Sequence, residues 1–147
     1  AFAGTDEEAI RMHFLVQLNG HYQGQATGET FNYEGKTDIL IKDKGRNIFI
    51  AECKFWRGEK IYSETIDQLL GYLSWRDTKA AIIVFNRNKG FSKILEKISE
   101  TTARHRNCRN MIRQISETSW QFRFTHRSDV NRTMTITVMA FDVPNKD

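Results

Sequence analysis

Asp38 and Glu52 stand fourteen positions apart, and Lys54 follows two residues later. An acid, a second acid and an amine at this spacing suit hydrolysis assisted by a cation. The intervening chain says how they meet. Gly35-Lys36-Thr37-Asp38-Ile39-Leu40-Ile41 and Ile48-Phe49-Ile50-Ala51-Glu52-Cys53-Lys54 are apolar, β-branched runs. Between them lies the polar stretch Lys42-Asp43-Lys44-Gly45-Arg46-Asn47. Two such runs around a glycine-bearing turn predict a β-hairpin. A turn centred on Gly45 opposes Lys42 to Ile48, Leu40 to Ile50, Asp38 to Glu52 and Lys36 to Lys54. Directly opposed residues share a face, with Cβ atoms about 4.5–5.5 Å apart.

Two carboxylates so placed repel each other, and a cation between them relieves the conflict. Carboxylate oxygens are hard ligands that suit Mg²⁺, with Mn²⁺ able to substitute. No His or Cys cluster with ligand spacing points to zinc. A divalent ion there would activate water and stabilise charge growing on a phosphate. Lys54 shares the face of Glu52 and is placed to orient the water or neutralise phosphoryl oxygens. The competing reading pairs Asp38 and Glu52 with Lys36 and Lys54 as ordinary strand-end salt bridges.

The order Asp38…Glu52-Cys53-Lys54 resembles the D…(D/E)xK signature of the PD-(D/E)xK, or restriction-endonuclease-like, nuclease superfamily. Gln68-Leu69-Leu70-Gly71-Tyr72 is similar to the QxxxY motif that follows ExK in its exonuclease branch. Gln68 and Tyr72, four apart, share a helix face. The resemblance spans about residues 5–90, and Thr37 stands where a proline often precedes the acid. It implies Asp38, Glu52, Lys54 and Gln68 as catalytic residues. It implies Asp38, Glu52, the backbone carbonyl of Cys53 and an acid of the first helix as metal ligands. Glu8 fits that last position better than Glu7. Glu29, which interrupts an apolar strand, is open to three readings: binding metal through water, pairing with Lys36 or Lys54, or an edge position. Lys36 and Tyr72 are expected to touch nucleic acid. For Glu7 and Glu8 a favourable place near the helix dipole is an equal explanation. For Tyr72 a core or rim role competes with a site role.

The elements that must position these groups follow from pattern. A helix from Thr5 or Asp6 to about Leu18 carries Ile10, Phe14 and Leu18 on one face and ends at Asn19-Gly20. Gly28 to Asn32 is a first strand, and the hairpin supplies two more. Residues 61–76 form a helix on Ile66, Leu69, Leu70 and Leu73. Ala80 to Phe85 is a continuous apolar strand of the kind buried on both faces. Strand, helix and strand from 48 to 85 make a right-handed parallel crossover. Phe91 to about Arg104 is a second amphipathic helix, and residues 105–118 have no clear pattern. Trp120 to His126 and Thr133 to Phe141 alternate and form a terminal hairpin. The expected fold is α/β: a mixed central sheet flanked by helices, with an α-β-β-β-α-β core and a C-terminal β-hairpin.

At 147 residues the chain forms one domain with room for a core. The start lacks a signal peptide, and Ala1-Phe2-Ala3-Gly4 suggests a domain excised from a larger protein, with a fused sensor or regulatory unit. No apolar run reaches membrane-spanning length. Cys53 and Cys108 read as reduced thiols of a cytoplasmic protein. The four histidines read as surface or capping residues. Trp56-Arg57 and Trp75-Arg76 read as cover for helix–sheet edges rather than base-stacking groups. Charge is uneven: residues 87–132 hold 11 Lys and Arg against 4 Asp and Glu, a net of +7. The sequence thus predicts a Mg²⁺-dependent deoxyribonuclease, an endonuclease of restriction, phage defence or repair. Relatives often cut duplexes as homodimers. RNA stays open as substrate, since only a 2′-hydroxyl separates it from DNA at the backbone. The rival is a catalytically inactive nucleic-acid-binding or docking module, motivated by the basic segment.

Overall fold

A computed structural model describes residues 26–29, 38–43, 46–73 and 79–143. Its strands are β1 (Ala26–Glu29), β2 (Asp38–Asp43), β3 (Arg46–Phe55), β4 (Lys79–Asn86), β5 (Cys108–Ser116), β6 (Ser119–Thr125) and β7 (Thr133–Asp142). Its helices are α1 (Glu59–Tyr72) and α2 (Phe91–Arg104). The strands form one sheet in the order β1-β2-β3-β4-β7-β6-β5. Antiparallel pairing joins β1 to β2 and β2 to β3, parallel pairing joins β3, β4 and β7, and antiparallel pairing joins β7, β6 and β5. The architecture is therefore mixed α/β. The expected helix 5–18 lies outside the described residues.

Strand-helix-strand passage from β3 through α1 to β4 gives the parallel pairing that the apolar run of β4 predicts. Seven of the eight β4 residues, Ala80 to Asn86, are buried. Both helices cover one face. Tyr62, Ile66, Leu69 and Leu70 of α1 and Ile94 and Ile98 of α2 share a core with Ile50, Ile82, Val84, Phe122, Phe124, Ile136 and Val138. The period-2 alternation of β6 and β7 sends Trp120, Phe122 and Phe124, and Met134, Ile136 and Val138, into that core.

The C-terminal strands are more than an appended hairpin. β7 inserts beside β4 and runs parallel to it, so the sheet is continuous. β5, in the stretch without clear pattern, is a full strand at the sheet edge. It is exposed along nearly its whole length and its register slips three times against β6. An edge strand that buries neither face has no reason to alternate. α1 also differs from expectation, starting at Glu59 and ending at Tyr72 rather than spanning 61–76. Gly58 precedes it at φ 104, a conformation favoured by glycine, and Leu73 turns extended after it.

Two polar links lock the helices. Thr102 Oγ1 donates to the Ile98 carbonyl at 2.6 Å, which uses its one proton, so the Tyr62 hydroxyl donates to Thr102 at 2.7 Å. The Asn107 amide donates to His105 Nδ1 at 3.1 Å, so the ring carries its proton on Nε2. That Nε2–H meets Asp67 Oδ1 at 2.7 Å and ties the end of α2 to α1. His105 also caps α2, as expected, but it and His126 are buried rather than at the surface. Trp56 is buried against Tyr62, their rings 5.6 Å apart.

Candidate functional site

The hairpin register places Asp38 directly across from Glu52 and Leu40 across from Ile50. The turn is tighter than a centre on Gly45 requires. The register slips between Ile41 and Lys42, so Lys42 opposes Asn47 instead of Ile48. That bulge lies on the turn side of Asp38 and Glu52, and their pairing is kept. Lys36 lies outside the described residues, as do Glu7 and Glu8.

A third acid joins the row. Glu29 of β1 opposes Asp38 of β2, so Glu29, Asp38 and Glu52 follow one another across three neighbouring strands. Sequence reasoning weighed Glu29 but could not assign it. A signal was present in Asn32-Tyr33-Glu34-Gly35, with asparagine and glycine at the ends of a β-turn pattern whose centre pairs Glu29 with Asp38. Neighbouring strands lie about 4.8 Å apart, and three like charges in line at that spacing disfavour the sheet unless a cation offsets them. The row continues through Ile82 of β4 and Val138 of β7. Both belong to the helix-covered core, so Glu52 lies on the face beneath the helices.

Glu52 is fully buried, at 0 % exposure. A carboxylate removed from water needs compensating charge or hydrogen bonds, or it must take up a proton. Lys54 is half-buried and lies two residues along the same strand, on the same face. Cys53 is buried with its side chain on the opposite face. Its sulfur is thus turned from the acidic row, and a ligand role there falls to its backbone oxygen.

Helix α1 returns antiparallel over this face. Gln68 lies nine residues into it from Glu59, about 14 Å at 1.5 Å per residue. Gln68 thus lies on the helix whose buried residues pack on the face of Glu52. Gln68 and Tyr72 occupy one half-buried shoulder of α1, beside the buried Thr65 and Leu69. Gly71 between them faces outward, and a Cβ there would come within 2.8 Å of the Arg127 Nη1.

The donor set fits a hard divalent ion: carboxylates and a backbone carbonyl, with no soft ligand on the same face. Among the described side chains no three His, Cys, Asp or Glu groups gather as ligands. Glu52 is the only member of the row whose side chain is described. Among the described residues no helix is long and apolar enough to cross a membrane. No family model matches the chain, and no curated protein and no solved structure matches it.

Proposed function

We propose that this chain is a metal-dependent nuclease of the PD-(D/E)xK kind that hydrolyses phosphodiester bonds in DNA. The single observation that carries this reading is the register of Glu29, Asp38 and Glu52, ending in a fully buried carboxylate. Three aligned acids are costly in a plain structural sheet, and they suit a site built to hold Mg²⁺ or Mn²⁺.

Asp38, Glu52, the Cys53 carbonyl and Glu8 would hold the ion, with Glu29 added by its place in the row. Such an ion supplies an activated water and offsets charge developing on the phosphate. The chain's own groups do the rest. Glu52, shielded from solvent, keeps a fixed position on a strand paired on both sides, which costs no reorganisation during reaction. Lys54 presents an ammonium on the same face, placed to orient the attacking water or to meet a phosphoryl oxygen. Gln68 supports the site from α1. Tyr72 and Lys36 would contact the nucleic-acid strand.

The test is nicking of supercoiled plasmid in Mg²⁺ by wild type, Asp38→Ala and Lys54→Ala. The reading expects cleavage by the wild type alone, abolished by chelation. Equal nicking by all three proteins sinks it. Salt-sensitive binding of DNA with no cleavage in any divalent metal supports the rival, a docking module without catalysis. Endonuclease action in restriction, phage defence or repair, with a homodimer placing two sites on opposite strands, extends this proposal. Nicking of closed circles tests the first part of that extension, since an exonuclease leaves them intact.

A further inference from the structure

The two faces of the sheet differ in charge. Under α2, the helix side holds a cleft of about 340 Å³ lined by Glu96, Glu100 and Glu117 with Leu95, Ser99, Gln114 and Trp120. Among the described residues the opposite face of β7, β6 and β5 carries no acid and is half-exposed to exposed. Alternation along β7 and β6 places Thr133, Thr135, Thr137 and Met139, and Ser119, Gln121 and Arg123, on that face. Their ladder partners there are Lys79 on β4 and Asn110, Arg113 and Ser116 on β5. Lys79, Arg123 and Arg113 are exposed, and among the described residues no carboxylate pairs with any of them.

The face is also organised. Arg113 Nε donates to Gln121 Oε1 at 2.9 Å, and Gln121 Nε2 donates to Thr137 Oγ1 at 3.3 Å. This chain of bonds crosses three strands, fixes Arg113 over the sheet and leaves its terminal nitrogens free to donate. Lys79 and Arg123 flank Thr135 in a single ladder row and line a cleft of about 220 Å³ with Thr133, Met134 and Thr135. Two strand spacings separate them, about 10 Å.

We infer that this face, with its exposed Lys79, Arg113 and Arg123, is a second nucleic-acid contact that grips the phosphodiester backbone away from the acidic row. Duplex DNA carries one negative charge per about 1.7 Å of axis, so 10 Å presents roughly six charges to this face. Guanidinium and ammonium groups meet phosphate oxygens, and threonine, serine and glutamine donors between them add neutral hydrogen bonds. The grip is on phosphate oxygens, which carry no sequence information directly. The inference rests on the nucleic-acid part of the proposed function and not on the metal.

The experiment is fluorescence anisotropy with a labelled DNA duplex, without divalent metal, across a salt series. Wild type is compared with Lys79→Ala/Arg113→Ala/Arg123→Ala and with the charge-matched control Lys89→Ala/Lys97→Ala/Arg104→Ala on the helix side. Lys79→Gln/Arg123→Gln, which removes the charge but keeps a polar side chain with an aliphatic stem, guards against misfolding of the triple variant. At about 0.9 per phosphate contact, the triple variant should flatten the log Kd–log salt slope by about 2–3. Its affinity should fall at least about tenfold, the Gln pair should lose part of this, and the control should stay near wild type. Equal losses in the control, unchanged binding in the triple variant, or no DNA binding by wild type overturns the inference. Equally tight capture by phosphatidylglycerol vesicles or polyglutamate also overturns it. A parallel nicking assay in Mg²⁺ separates the two readings. DNA binding that depends on this face without any cleavage ends the nuclease reading alone, and cleavage with unchanged binding ends only this inference.

Discussion

Lys54 and Glu52 make opposite demands at the scale of one residue. Lys54 is half-buried and works on what is bound, so Lys54→Met should spare DNA affinity and lower the nicking rate at least about a hundredfold. Single-turnover cleavage at saturating DNA checks this, and an unchanged rate counts against the assigned role. Glu52 is fully buried and would hold the ion, so its effect should show in stability. Wild type should gain about 2–3 kcal/mol from Mg²⁺ at 100-fold excess over its Kd, which raises the thermal midpoint by several degrees. Glu52→Gln should lose that gain while still folding. A metal-dependent midpoint that survives in Glu52→Gln contradicts the ligand assignment.

Between elements, the Tyr62–Thr102 bond joins α1 to α2 in the core. Burial, the largest cause, raises the Tyr62 pKa above the usual phenol value. The folded chain then keeps a proton that the unfolded chain gives up near pH 10. Stability from this group is present below about pH 10 and is lost as pH rises toward the folded pKa. Tyr62→Phe should cost about 0.5–1.5 kcal/mol at neutral pH through the lost hydrogen bond. It should also lose less stability than wild type between about pH 10 and 11, as read from denaturant melts. Gly71→Ala on the outer face of α1 should stabilise by about 0.5–1 kcal/mol, because the exposed Arg127 guanidinium it meets can swing aside. A thermal midpoint lower than wild type would show that Arg127 is held in place. The sequence made the interior elements legible because burial imposes period. β4, α2 and the alternation of β6 and β7 follow from their apolar residues. The pairing of Asp38 with Glu52 is met only because two departures offset: the tighter turn alone would oppose Asp38 to Ala51, and the bulge restores Glu52. What was not legible lacked such a constraint. β5 buries no face and the bulge at Ile41/Lys42 leaves no pattern.

For the whole molecule, charge and topology act together. Placing β7 beside β4 brings residues from both ends of the chain into one sheet, with acids at β1 to β3 and exposed cations at Lys79, Arg123 and Arg113 on β4, β6 and β5. Excess positive charge, +4 overall, favours encounter with a polyanion and makes it salt-dependent. The central claim concerns the acidic row, and a crystal soaked in Mn²⁺ tests it most directly. The account predicts an anomalous peak about 2.0–2.3 Å from the carboxylates of Asp38 and Glu52, with both on the helix-covered face. A well-ordered crystal with no peak there, or with the two carboxylates on opposite faces of the sheet, would contradict it.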